Sequence, residues 1–502
     1  MKLGTLIAAT ARRFGDKPMA WCDGAVLTFA QAERRGNQLA NALLDAGVRP
    51  GDRVLVHLPN SLGLVEAYAG IAKAGAVAVP APTRLAPAEV AWLVEDAQPR
   101  AAFFGGAQRE RLAAVPGDVL RVVTDGAPQG GEVALDALVA AGADRPPPEL
   151  PLAQRHAVIG YTSGTTGRPK GAVTTHDSLV VQHLVNVMVQ GLSEHDRMYA
   201  STPMAHRIGL SRLVAAWCSG STVYMSPRFD PREALQVLRR ERLTQFAGVA
   251  TTVRMLLDAL EQDGGALPDL RWVHAGGEAF PVPLKQKLRQ LVPQAGLYTW
   301  YASTEAGIVA TLRPDEQEAH GATVGRPNPG VELRLVQADG RAAPAGEAGE
   351  IVVRCGEPGR CTVMEGYFRN EAATREVLAD GWYRTGDVGR LDGEGYLTIV
   401  DRVRDMIVSG GLNIYSREVE QCIGTLEGVA DVAVVGVPDA QWGEAVVAFV
   451  EVRPGAQLSE QAVIEHCRDR IAAYKKPRQV RFVEALPRNS TGKVLKRVLR
   501  GS

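Results

Sequence analysis

A repeated alternation of short apolar runs with stretches of helical periodicity constrains this chain most. Phe29 to Leu44 places apolar residues at helical spacing, Arg53 to Leu58 (RVLVHL) has the length and content of a strand, and Leu62 to Ala74 is a second helical stretch closing on Gly75. A strand–helix–strand rhythm implies a largely parallel sheet with helices packed on it. It continues through Ala101 to Phe104 and Leu120 to Thr124, then stops in the Gly, Ala and Pro-rich stretch Ala127 to Pro151, a loop or subdomain seam. A second set of strand candidates follows at Arg197 to Ser201, Thr222 to Met225, Gln245 to Val249, Trp272 to Ala275 and Gly296 to Trp300. From about Arg326 to Val400 the texture becomes Val, Ile, Arg and Gly-rich, with turn signals at Asp392-Gly393 and Glu394-Gly395, as in a small antiparallel β unit. Beyond Asp401, strands at Val432 to Val437 and Ala445 to Val452 and a helix near Glu460 to Ala473 suffice for a compact α+β domain. The expected fold class is therefore α/β. A large N-terminal domain, 1–401, comprises two α/β parts (about 1–150 and 151–325) and a β unit (326–400), and a small α+β C-terminal domain covers 402–502.

A length of 502 residues calls for more than one core. The 56 Lys and Arg are balanced by 56 Asp and Glu, so no net field favours nucleic acid or an anionic membrane, and small-molecule chemistry is the better expectation. Cys22, Cys218, Cys355, Cys361, Cys422 and Cys467 lack zinc-ligand spacing and read as reduced thiols. Met1 to Asp16 has no apolar core with a cleavage signal, and no apolar run approaches the length of a membrane span, so a cytoplasmic protein is expected.

The densest chemical signal is Tyr161-Thr-Ser-Gly-Thr-Thr-Gly-Arg-Pro-Lys170-Gly171, after the apolar run Ala157 to Ile159. Gly164, Gly167 and Gly171 allow close backbone approach to an anion, Ser163, Thr165 and Thr166 supply hydroxyl donors, and Lys170 supplies a point charge. That combination suits a polyphosphate. It is not the Walker pattern, because no Lys-Ser or Lys-Thr pair follows the last glycine.

This string resembles the signature loop of the adenylate-forming superfamily, which includes acyl-CoA and aryl-CoA synthetases, adenylation domains of peptide synthetases and beetle luciferases. Tyr301-Ala-Ser-Thr-Glu305, Tyr383-Arg-Thr-Gly-Asp387, Asp401-Arg-Val-Arg404-Asp-Met-Ile, Ser409-Gly-Gly-Leu-Asn-Ile-Tyr-Ser-Arg-Glu418 and Pro487-Arg-Asn-Ser-Thr-Gly-Lys493 resemble its later motifs, in the same order. The resemblance covers the chain from about residue 20 to the end. It implies ATP, Mg²⁺ and coenzyme A as reactants or cofactors, a carboxylic acid as substrate, and a C-terminal domain that rotates after pyrophosphate leaves.

Each motif also has a chemical reading. Glu305 is a hard oxygen ligand suited to Mg²⁺ on ATP phosphates, with the Thr304 hydroxyl near the α-phosphate. Asp387 suits the ribose hydroxyls, with Arg402 nearby. By resemblance Tyr301 stacks on adenine beside Ala302, and Gly277 and Glu278 line the adenine and acyl sites. Lys493 bridges the attacking carboxylate and the α-phosphate, two anions that repel until a mobile ammonium joins them. Arg404 stands at the hinge position, where the family often has Asp or Lys. Ser409, Gly410 and Gly411 would line a pantetheine channel. The acyl pocket is implied by Pro203 to Gly209, with His206 as gate, and its lining candidates are Arg207, Phe246, Gly248, Val249, Ala275, Trp300, Ala302 and Ile308.

Trp300 and Ala302, where many relatives have Gly after the stacking Tyr, should narrow that pocket, so an aryl, cyclic or short to medium acid is expected. Arg207 beside His206 raises a second carboxylate as a further possibility, against the commoner fate of an arginine turned to solvent. No Asp occurs in Met204 to Gly209 to pair with an amino-acid ammonium. Loading of an acyl group onto a carrier protein is the alternative to free coenzyme A. Oxygenase chemistry is not demanded by any residue. A silent scaffold would have lost Lys170, Glu305, Asp387 or Lys493, and all are present. A monomer or homodimer without nucleic-acid or membrane partners is expected.

Overall fold

A computed structural model describes residues 1–149, 155–162, 168–278, 280–337, 339–410, 412–488 and 494–501. The chain forms two compact units, Met1–Leu333 with Val353–Tyr383, and Arg334–Val352 with Arg384–Ser502.

The first unit contains two sheets. One carries the parallel strands Arg53–His57, Val77–Pro80, Ala101–Phe104 and Leu120–Val123, extended by His156–Thr162 and the antiparallel Lys170–Thr175. Leu62–Ala74 is a helix whose start is capped by Ser61 and whose end is stopped by Gly75 at φ 71, a left-handed conformation that glycine adopts without cost. The second sheet runs in the order Gly307–Leu312, Gly296–Ser303, Trp272–Gly276, Gln245–Gly248, Arg197–Ala200, Thr222–Met225, Pro18–Cys22 and Ala25–Thr28. Its parallel strands are buried on both faces, so helices cover each side. The early hairpin Pro18–Thr28 does not join the sheet nearest in sequence. Pro18–Cys22 instead pairs in parallel with Thr222–Met225, placing Ala20 opposite Val223.

Side-chain parity sorts this second sheet into two faces. Phe246, Val273, Ala275 and Leu297 pack into one core with Leu256, Leu257 and Leu288 of the helices Ala250–Asp263 and Val282–Leu291. His274 and Trp300 point to the other face, where His274 stacks on Tyr298 at 5.1 Å and lies 6.1 Å from Trp300.

The second unit holds an antiparallel pairing of Trp382–Leu391, from Arg384 onward, with Leu397–Arg402. It also holds a sheet of Val429–Asp439, Gly443–Val452, Gln479–Val483, Ile407–Ser409 and Leu412–Ile414. Helices Ser416–Gly424 and Glu460–Arg468 close its core around Ile407, Val419, Ile423, Val434, Val446 and Cys467. Among the described residues no helix is long and apolar enough to cross a membrane.

The first unit buries several imidazoles. Burial pushes His176 down to about 4 and His183 down to about 3, and lowers His57 and His274 as well. A folded-state value below the unfolded one means stability is complete above pH 6.5 and is lost as pH falls toward the folded values. Each such group costs up to about 1.4 kcal/mol per pH unit in that window. Urea unfolding of the full chain at pH 5.5 is therefore expected to show at least about 3 kcal/mol less stability than at pH 7.5. Equal midpoints at the two pH values would contradict this account.

Candidate active site

The strands flanking the Gly, Ser and Thr-rich string pair antiparallel, with Thr162 opposite Lys170. Ser163, Gly164, Thr165, Thr166 and Gly167 lie outside the described residues. The first residue of the string is firmly held. The Tyr161 hydroxyl donates to the Asp96 carboxylate, and its ring meets Trp92 edge-on at 5.4 Å. Burial, followed by the Asp96 hydrogen bond, pushes the Tyr161 phenol well above its ordinary range. Lys170 Nζ stands 5.3 Å over the Tyr367 ring and 4.0 Å from Glu376.

Glu305 follows the strand Gly296–Ser303 and reaches the start of this string. Its Oε1 accepts from Thr162 Oγ1 at 3.2 Å and from the Tyr367 hydroxyl at 3.1 Å. Tyr367 belongs to the short strand Gly366–Tyr367, paired with Ala172 and Val173. Nothing in the spacing of the sequence marked it, because its role follows from that pairing. Thr304 lies in the turn before Glu305, and a side chain at Gly160 would meet its Cγ2 at 2.9 Å. Tyr301 is buried in the same strand, and after an irregularity in the pairing Ala302 faces Ile308. Gly277 and Glu278 are exposed beyond the strand Trp272–Gly276, and Glu278 Oε1 accepts from the Thr251 amide.

Among the acyl-pocket candidates, His206 is the residue before the helix Arg207–Ser219, and burial lowers its imidazole. Gly248 and Val249 sit where the strand Gln245–Gly248 passes into the helix Ala250–Asp263, and a side chain at Gly248 would strike Thr252 and Ser201 hydroxyls within 2.4 Å. Phe246 stacks on Tyr199 at 5.8 Å and shares a core with Ala275, on the face opposite Trp300. The sheet thus does not bring Phe246, Ala275 and Trp300 onto one surface. Arg207 is not turned to solvent: its Nη2 donates to Gln182 Oε1, and its Nε and Nη1 are buried. Gln182 was not anticipated; it reaches the sheet because Gly307 has no side chain, a Cβ there lying 1.7 Å from Gln182 Nε2.

In the second unit Asp387 and Arg402 are directly opposite in antiparallel pairing, with Arg402 Nε 3.4 Å from Asp387 Oδ1. Arg404 occupies the short turn Val403–Asp405. Its carbonyl accepts from Arg500 Nη2 at 2.8 Å, and the same group reaches Asp405 Oδ1 at 2.9 Å. Ser409 ends the strand Ile407–Ser409, and Gly410 follows at φ 60 with its position 2.8 Å short of the Trp442 ring for any Cβ. Gly410→Val is accordingly expected to lower stability by about 1–3 kcal/mol, read as a shifted urea midpoint. Gly411 and Lys493 lie outside the described residues. Near Lys493 in sequence, Arg488 pairs with Asp431, and Lys496 Nζ lies 2.6 Å from Glu420 and 2.7 Å from Ser416 Oγ.

Comparison with known proteins covers nearly all of this framework. Residues 7–368 match the family model described as AMP-binding enzyme, and residues 418–493 match that of the AMP-binding enzyme C-terminal domain. The chain is 37% identical over 494 residues to a feruloyl-CoA synthase of an Amycolatopsis species, spanning 97% of this chain and 94% of that protein. It is 35% identical over 477 residues to the long-chain-fatty-acid–CoA ligase FadD13 of Mycobacterium tuberculosis, spanning 94% and 92%. It is also similar to the solved structure of the o-succinylbenzoate CoA synthetase MenE from Bacillus subtilis with its acyl-adenylate intermediate. There the TM-score is 0.87 at 27% identity, over 99% of this chain and 97% of that one.

Proposed function

This chain belongs to the AMP-binding enzyme family and is an AMP-forming acid–thiol ligase, and from that premise we propose a role for each site residue and a compact acid as substrate. In the first half-reaction an oxygen of the acid's carboxylate attacks the α-phosphorus of ATP, the bond to the bridging oxygen of the β-phosphate breaks, and pyrophosphate leaves. In the second, the thiol sulfur of coenzyme A attacks the acyl carbon, its proton is released, and AMP leaves.

The observation that carries the residue assignment is Glu305, a carboxylate held by two hydroxyls directly beside the string suited to phosphates. A single carboxylate fits Mg²⁺ arriving on ATP, because that ion is commonly held by one or two carboxylates plus substrate phosphates. When bound, Mg²⁺ neutralises phosphate charge. Thr304 and Lys170 donate to phosphate oxygens, Tyr301 stacks on the adenine, and Asp387, steadied by Arg402, takes the ribose hydroxyls. Lys493 joins the carboxylate to the α-phosphate in the first transition state. Alternation of the C-terminal domain then presents Ser409, Gly410 and Gly411 for the thiol step, with Arg404 as the hinge.

Trp300 and Ala302 support a short to medium, cyclic or aryl acid, processed in the cytoplasm. A panel of such acids, scored by pyrophosphate release with free coenzyme A, with a pantetheinylated carrier and with neither, tests the assignment. Acid-dependent release followed by thioester on free coenzyme A is expected. Thioester only on the carrier would overturn coenzyme A as acceptor.

A further inference from the structure

Two arginines of the helix Arg207–Ser219, Arg212 buried and Arg207 half-buried, have no carboxylate to neutralise them among the described residues. Arg212 is 4% exposed, and its guanidinium lies 4.7 Å over the Trp300 ring. Its Nε finds no acceptor among the described residues, and neither do Nε and Nη1 of Arg207. No carboxylate forms an ion pair with either side chain among the described residues, and no Asp or Glu of the chain lies outside them. Burial lowers both guanidinium groups to about 10, which leaves each charged at neutral pH. Both charges also act on His183, lowering it further, so they share one neighbourhood.

Burying a cation without a counter-charge is costly, and an arginine retained for structure normally has carbonyls or carboxylates around its fork. The Trp300 face offsets only part of that cost. The place is also informative. Arg207 binds Gln182, Gln182 fills the space left by Gly307 next to Ile308, and Ile208 Cδ1 lies 2.7 Å from where a Gly277 Cβ would stand. Gly277, Trp300 and Ile308 are residues assigned above to the acyl side of the site.

We propose that Arg207 and Arg212 form an anion subsite in the acyl pocket, and that the acid activated is a compact dicarboxylic acid whose second, unreacted carboxylate is held there. A carboxylate matches the planar fork of a guanidinium by two parallel hydrogen bonds, and the buried setting rewards the charge match. The inference rests on the ligase reading given above. It makes Arg207 and Arg212 specificity residues; neither takes part in the chemical step.

The test uses the full-length enzyme with matched acids: butanoate and succinate, hexanoate and adipate, benzoate and isophthalate. For at least one pair, ATP-dependent pyrophosphate release is expected to show kcat/KM about 100-fold or more higher for the diacid. In Arg207→Met the diacid-to-monoacid ratio should fall about 100-fold, and Arg207→Lys should recover part of it. The wild-type panel decides the question even if Arg207→Met does not fold. Preference for the monoacid in every pair, or an unchanged ratio in a folded Arg207→Met, overturns the proposal. Equal loss on both acids would assign Arg207 to the reacting carboxylate and overturn it too. If none of the six acids releases pyrophosphate, the proposal is overturned as well, while acid-dependent release in the wider panel described above still upholds the ligase reading.

Discussion

Lys493→Ala is expected to slow acyl-adenylate formation by about 1,000-fold or more, while thioester formation from supplied acyl-adenylate changes by less than about tenfold. The asymmetry follows from the charges. Two anions must meet when the carboxylate attacks the α-phosphate, and an ammonium between them stabilises that transition state far more than the ground state. In the thiol step the carboxylate has become the acyl group of a mixed anhydride, whose one remaining charge lies on the α-phosphate, so the same ammonium has no pair of anions to bridge. Pyrophosphate release and single-turnover thioester assays on one preparation separate the two steps. Equal loss in both would remove Lys493 from the first transition state. The neighbouring Arg488 and Lys496 are held by Asp431 and Glu420, so neither side chain is available to substitute for it.

The second large effect is expected from Glu305→Gln. The amide oxygen still accepts from Thr162 and Tyr367, so the local hydrogen bonds persist. Only the charge is lost. Pyrophosphate release should fall about 100- to 1,000-fold at saturating acid and ATP, with the melting temperature within about 2 °C of wild type. A variant that melts normally and keeps its activity would remove Glu305 from the nucleotide's metal. A large fall in melting temperature would instead mark the carboxylate as a structural tie.

Much of the fold was legible because its signals are local. The helix Leu62–Ala74 ends where Gly75 permits a left-handed turn, and Ala101–Phe104 and Thr222–Met225 are apolar runs bounded by breakers. The helix expected from Glu460 to Ala473 stops at Arg468, since periodicity sets a helix face more firmly than its end. The early strand Pro18–Cys22 was not legible at all, for its partner lies far along the chain. The same limit governs the site. Asp387 lies opposite Arg402, and Glu305 meets Thr162 at the start of the glycine-rich string, both within motifs that stand in the sequence. Tyr367 and Gln182 enter only through tertiary contacts, and no string of letters marks them. Phe246 and Ala275 were grouped with Trp300, yet the parity of each strand sends them to the opposite face. The burial of Arg207 likewise depends on Gly307 leaving space for Gln182.

The pairing of Pro18–Cys22 with Thr222–Met225 also sets a schedule for synthesis. At about 5–20 residues per second, a ribosome adds the partner strand about 10–40 s after the early one. Through that interval the first hairpin has left the ribosome with no sheet to join, while Arg53–His57 and its neighbours already have their own partners in hand. The hairpin that closes the second sheet is therefore the first made and among the last placed, and during translation it is the segment most in need of shielding from other chains.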